Sequence, residues 1–225
     1  MPARSSRFWL PLGLALAGSA ALSVDLPIAH TLREWNHSET VHAYLDYFDV
    51  FEPFGQCLMG VLVVAALMHQ LDASRRWAIP RLAACTAAGG LMADLLKMLL
   101  ARTRPYDFAF DGSVWSTFGP WLPGWSAGSG GQSFPSGHTA TAAALAAALM
   151  WLYPNGRRLF VALVILVGCQ RIVSGAHFPS DVLFGAAAGC LMAQGFLQVG
   201  HLSQWFTRRE AAWRTSRAPS LKNPG

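Results

Sequence analysis

Three stretches of this sequence hold side chains able to grip an anion and move a proton. In "KMLLARTRP", Lys97 to Pro105, the cations Lys97 and Arg104 stand seven residues apart. That is about two helical turns, so they would share one helix face if the helix persisted that far. Pro105 marks the exit from helix to loop. Two cations snorkelling to a membrane interface would look the same. In "PSGH", Pro135 to His138, Ser136 suits an N-cap and Gly137 lets a ligand approach the backbone. A helix start offers unpaired N–H groups and a partial positive charge, which favours an anion. His138 stands in that first turn, although a capped helix with a satisfied histidine is the plainer account. In "QRIVSGAHFPSD", Gln170 to Asp181, Arg171 lies near a helix end and His177 in a turn. Asp181 follows four residues later. Its carboxylate can hold one imidazole nitrogen and leave the other as a free lone pair, or merely favour its own helix N-terminus.

The elements that must position these residues are apolar. The chain of 225 residues is 53% hydrophobic and only 13% charged, about half the charge of a soluble domain, and its mean hydropathy is +0.32. Six apolar segments near the length of a membrane helix are separated by charged links: Phe8 to Val24, Phe54 to Leu71, Ile79 to Leu100, Ser136 to Tyr153, Leu159 to Gly175 and Val182 to Val199. The first follows Arg4 and Arg7, so a signal peptide is its alternative to a retained helix. With the N-terminus in the cytoplasm, 12 of the 17 Lys and Arg residues fall on that side, as the positive-inside rule asks. The other five, Arg33, Lys97, Arg102, Arg104 and Arg171, lie at or beyond the outer face, where all three stretches converge. The net charge of +5 comes with no basic soluble face, so nucleic acid is not an expected partner. Cys57, Cys85, Cys169 and Cys190 each sit inside an apolar run and read as small buried hydrophobes.

Taken in order and spacing, Lys97-x6-Arg104-Pro105, Pro135-Ser136-Gly137-His138 and Arg171-x5-His177-x3-Asp181 resemble the three-part signature of the type 2 phosphatidic acid phosphatase (PAP2) superfamily. A Ser often precedes the third-motif Arg in that family, and Gln170 stands there instead. The resemblance covers Lys97 to about Val199. It implies that His177 attacks phosphorus, that Asp181 orients it and that His138 protonates the leaving oxygen. It implies further that Lys97, Arg104, Arg171 and the Ser136–Gly137 region hold the phosphoryl oxygens. Three fixed cations and a helix start would then supply the charge that Mg²⁺ supplies elsewhere, with no metal and no cofactor.

The expectation is an all-α integral membrane bundle of about six helices over residues 1–206, with 207–225 a disordered basic cytoplasmic tail. It would hydrolyse a phosphomonoester or terminal pyrophosphate on a membrane phospholipid, a polyprenyl diphosphate or a lipid A type substrate in the bilayer. A bacterial inner membrane with a periplasmic site fits the chain. A phosphotransferase built on the same site and a non-catalytic carrier or scaffold are the rivals. Asp94, one turn before Lys97, is expected to pair with it. Asp107 and Asp111 are weak metal candidates. Trp115, Trp121 and Trp125 in the outer link read as a membrane-interface belt or as part of a flap.

Overall fold

The computed structural model describes residues 8–36, 47–124, 126, 128–198 and 200–217. Arg4, Arg7, Trp125, Lys222 and the last eight residues of the expected tail lie outside them. All six apolar segments are helical. Helix α1 is Trp9–Ala21 and α2 is Asp25–Asn36; a 3-10 turn, Tyr47–Phe51, leads into the short α3, Glu52–Gly55, and then α4, Cys57–Leu71. After a second 3-10 turn, Ala73–Ala78, come α5 (Ile79–Leu99), α6 (Gly137–Leu152), α7 (Arg157–Val173), α8 (Pro179–Leu197) and α9 (His201–Arg217). The only described strands are β1 (Leu100–Arg102) and β2 (Phe118–Trp121), an antiparallel pair in the outer link.

Among the described residues, length and composition alone identify two to four candidate spans in this all-α bundle. Ala73–Leu99, which joins the second 3-10 turn to α5, and Pro179–Leu197 are long and apolar enough to cross a bilayer unbroken. Helices α1 and α2 meet at a bend of 71°, and α4 meets the segment before it at 88°, so each bent pair forms at most one further span. Helix α6, of 16 residues, rises about 24 Å, short of the ~30 Å hydrocarbon core. It is enclosed by its neighbours instead: Ala140, Ala142, Ala144 and Leu145 are all fully buried.

Glycine permits that enclosure. A Cβ on Gly189 would lie 2.1 Å from the Ala140 carbonyl oxygen, and one on Gly89 would lie 2.7 Å from the Ala144 Cβ. Helices α5 and α8 therefore both press their backbones close to α6 around the Ala140 carbonyl. Helix α1 packs on α8 where Gly18 faces the Phe184 ring.

Two expectations are corrected at the ends of the bundle. The tail assigned to 207–225 is helical as far as Arg217, because Arg81 on α5 holds it: Nη2 donates to Thr207 Oγ1 and Glu210 Oε2, both at 2.9 Å. Of the four cysteines only Cys85 is buried; Cys169 is exposed on the apolar outside of α7. The thiols are all free.

Candidate active site

The three stretches meet at one end of the bundle. Helix α5 ends at Leu99 and the chain turns extended at Leu100, so Lys97 and Arg104 do not share a helix face. The reason is the β1–β2 pairing, continued where Arg102 N donates to the Gly131 carbonyl and Ser133 N donates to the Arg102 carbonyl. Lys97 still reaches the site from the last turn of α5. Its Nζ lies 3.3 Å from where a Gly137 Cβ would stand, so the ammonium rests against the start of α6. Its own ion pair is with Asp94, at 3.6 Å. Arg104 arrives on the extended link, and its buried Nε has no hydrogen-bond partner in the protein.

Ser136 caps α6, accepting from Thr139 N at 3.4 Å, and its own N–H donates to the Asp181 carbonyl. The second and third stretches are thus tied backbone to backbone. His177 lies in the turn between α7 and α8, where Gly175 takes a left-handed φ of +68°, a conformation glycine adopts without strain. Its Nδ1 lies 2.7 Å from the Ser133 carbonyl oxygen. A carbonyl can only accept, so Nδ1 carries the proton and Nε2 keeps its lone pair. The His177 side chain is 3% exposed. Burial, then the charges of Arg104 and Lys97, hold the imidazole well below its usual protonation range; the Ser133 bond opposes this and Arg171 adds to it.

The Asp181 carboxylate does not hold the imidazole directly. Its Oδ2 is 3.9 Å from His177 Nδ1 and accepts instead from Ser133 Oγ at 2.6 Å and Phe178 N at 2.9 Å. It therefore fixes the residue whose carbonyl holds His177, and caps α8 as well. Its other oxygen accepts from Arg102 Nη1 at 2.5 Å. Arg102 is fully buried between the rings of Phe118 and Phe178, and its Nη2 reaches Asp25 Oδ2 at 2.7 Å. Asp25 in turn accepts from Ser180 N.

His138 and Arg171 are drawn together by a residue outside the three stretches. Glu52 Oε1 lies 3.3 Å from His138 Nε2 and 3.2 Å from Arg171 Nη1. Gln170, the departure from the usual Ser, links Arg171 Nε to Asp49: its Oε1 accepts from Arg171 at 2.5 Å and its Nε2 donates to Asp49 Oδ1 at 2.7 Å. Sequence reasoning missed Arg102, Ser133, Asp25 and Glu52. The signal open to it was position: Asp25 and Glu52 each stand at the outer end of an apolar segment, where an ionisable residue needs a partner. Asp107 and Asp111 form no metal cluster; among the described residues no three His, Cys, Asp or Glu side chains do. Trp115 and Trp121 are exposed.

Lys97, Arg104 and Arg171 all act electrostatically on both histidines. The three cations and the two imidazoles thus share one electrostatic environment. The PAP2 superfamily model matches residues 78–205, more than half of the chain. The chain belongs to the PAP2 superfamily. Among curated proteins it is 44% identical over 100 residues to the lipid A 1-phosphatase of Rhizobium johnstonii, covering 44% of this chain and 38% of that protein. Identity to the lipid A 1-phosphatase of Rhizobium etli is 43% over 100 residues, or 44% and 40% of the two chains. For the lipid A 1-phosphatase of Porphyromonas gingivalis it is 37% over 84 residues, or 36% and 17%. The matches thus span two fifths or less of the length of these relatives. No solved structure matches the chain. Glu52 and Asp25 precede the region that matches the PAP2 model.

Proposed function

We propose that this PAP2 protein is a membrane lipid phosphatase that hydrolyses a lipid A type phosphate through a phosphohistidine on His177, without a metal ion. The observation that carries the reading is the tautomer of His177. Its Nδ1–H is committed to the Ser133 carbonyl, so Nε2 keeps its lone pair, on a ring that feels the charges of Arg104, Lys97 and Arg171. In the first step that lone pair forms a bond to phosphorus while the bond from phosphorus to the lipid oxygen breaks, and His138 gives the leaving oxygen its proton. In the second step water attacks the phosphohistidine, the N–P bond breaks, and His138 takes the proton back. Lys97, Arg104, Arg171 and the N–H groups at the start of α6 neutralise the equatorial oxygens through both steps. Asp181 works through Ser133, as a positioning residue. The names of the relatives support lipid A over the other lipids considered, and the positive-inside count supports a site on the periplasmic face.

The test is phosphate release by purified protein, in detergent with excess EDTA, from phosphatidic acid, phosphatidylglycerol phosphate, a polyprenyl diphosphate and lipid A. Lipid A is expected to be the best substrate. His177→Ala should abolish both turnover and the acid-labile phosphoenzyme. Arg171→Lys should recover only part of the rate lost in Arg171→Ala, since the charge stays but the planar fork is gone. Activity that collapses in EDTA and returns with Mg²⁺ refutes the metal-free mechanism. Phosphate that appears on an added lipid rather than in water makes the protein a phosphotransferase. Sidedness is read from a cysteine at the exposed Asp111, in a background without native cysteines. It should react with an impermeant thiol reagent in intact cells.

A further inference from the structure

His138 faces a charge problem in the substrate-free enzyme. Burial is the largest cause of a pKa lowered to about 4, and four charged groups also act on the ring: Arg171 from α7, Glu52 from α3, which raises it, Lys97 from α5 and Arg104 from the outer link. Three are cations, which disfavour an imidazolium. Yet a general acid must hold its proton when the substrate arrives. Glu52 is the single anion among the four, and one of its oxygens touches both His138 Nε2 and Arg171 Nη1. An oxygen bearing negative charge between a cationic guanidinium and an imidazole is what a bound phosphoryl group would also place there.

We propose that Glu52 is an internal stand-in for a substrate phosphoryl oxygen, supporting the protonated form of His138 against its surroundings and keeping Arg171 aimed in the substrate-free enzyme until the phosphate displaces it. The inference rests on the phosphatase reading of the site and assigns a positioning residue that lies outside the PAP2 match.

The segment that bears Glu52 is built for this. A Cβ on Gly55, the last residue of α3, would lie 3.0 Å from His138 Cβ and 2.9 Å from Val167 Cγ1. Helix α3 therefore sits directly on α6 and α7 with no room to tilt inward. Asp49, three residues before Glu52, is bonded to Gln170, which also holds Arg171. The backbone is clamped at both ends, while the Glu52 side chain itself is 29% exposed. The carboxylate can swing toward water while its helix stays in place. The proton balance is closed. Glu52 accepts a hydrogen bond from protonated His138, the leaving oxygen later takes that proton, and water attacking the phosphohistidine returns one.

The test begins without turnover. The His138 ring is titrated by NMR in substrate-free protein carrying labelled histidine, for wild type and Glu52→Gln. The midpoint should fall by about one pH unit or more in the variant, the size expected for losing an adjacent opposite charge. Saturating orthovanadate should abolish the difference, since the bound oxyanion replaces the carboxylate. Glu52→Asp, which keeps the charge but withdraws it by one methylene, should shift the midpoint the same way by less. It also serves if the Gln variant does not fold. In steady state the alkaline limb of kcat/KM, which reports free enzyme, should move to lower pH, while the limb of kcat stays.

Three results overturn the proposal. One is an unchanged His138 midpoint. A second is a rise in kcat/KM in Glu52→Gln, which would make the carboxylate a competitor of substrate. The third is an equal fall in kcat and kcat/KM with no pH shift, which would make it structural. The underlying phosphatase reading fails separately. In that case His177→Ala would retain phosphoenzyme, or His138→Ala would slow alkyl and aryl phosphates equally, whatever Glu52 does.

Discussion

Two buried arginines, one at each end of the bundle, look alike and do different work. Arg102 at the outer end lies between Phe118 and Phe178, with ring centroids 4.5 Å and 4.2 Å from its guanidinium carbon. Arg81 at the inner end lies over Trp151 and Phe206, at 4.7 Å and 5.6 Å. Arg102 meets two carboxylates, Asp25 and Asp181, and all three side chains are wholly buried. Arg81 meets one, Glu210, which sits near the rim at 8% exposure. The inner pair latches one helix, α9, onto α5. The outer triad joins the link, α2 and the start of α8 beneath His177. A charge pair at an edge fastens an element. A closed triad with no route to water fixes the segments around His177.

The largest expected effect breaks that comparison directly. Arg102→Met should leave two buried carboxylates without their cation, at about 3–5 kcal/mol or more, with activity lost alongside stability. Arg81→Met should cost roughly 1–3 kcal/mol, because Glu210 can turn outward, and should leave activity within about threefold of wild type, a small barrier change. Thermal unfolding in detergent and phosphate release measure the two together. Equal losses of activity would erase the distinction between latch and support.

A smaller effect sharpens it in backbone packing. Gly189, near the middle of α8, has no space for a methyl group, since the Ala140 carbonyl stands 2.1 Å from the Cβ position. Gly189→Ala should destabilise by about 1–3 kcal/mol through forced helix separation and should slow turnover, because Ser136 and His138 ride on α6. Gly195, farther along the same helix, has nothing within 4 Å of its Cβ position. Gly195→Ala should be stabilising by about 0.4–1 kcal/mol. Opposite signs in the melting temperatures are the expected outcome, and like signs would show that α8 is packed uniformly.

The helices and the three charged stretches were legible in the sequence because apolar run length and motif spacing are local properties. How the helices enclose one another was not. Whether α6 meets lipid or its neighbours depends on Gly89 and Gly189, and their meaning appears only when two backbones touch. The break after Leu99 was hidden for a similar reason: the pairing of Leu100 with Trp121 is set across the link, not within the helix. The partner of His177 was misread because a four-residue spacing suggested Asp181, whereas a backbone carbonyl, Ser133, carries no side-chain signature. Arg102 was visible as an outer cation, but its place among Asp25, Ser180 and Asp181 required the fold.

The smallest expected effect concerns pH and tests whether the outer end holds its histidine neutral. The unfolded chain would protonate His177 at the ordinary value near 6.5. In the folded protein burial is the leading cause of a depressed value, with Arg104 and Lys97 next. The neutral form needed for attack therefore persists as pH falls through 6.5 and is lost only well below it. An unperturbed histidine would be about tenfold less available at pH 5.5 than at neutrality; His177 should lose less than about twofold on that scale. Stability runs the other way. Below about 6.5 the unfolded chain takes up a proton that the folded site refuses, so stability declines as pH falls toward the folded value. The measurement is the ring titration of His177 in labelled protein, followed by the same titration in Arg104→Gln. Because burial leads, removing one cation should raise the midpoint only partway and leave it below 6.5. A wild-type midpoint at or above 6.5 would mean that water reaches the imidazole, and the contrast between a closed outer triad and an open inner latch would fail at the residue it was meant to explain.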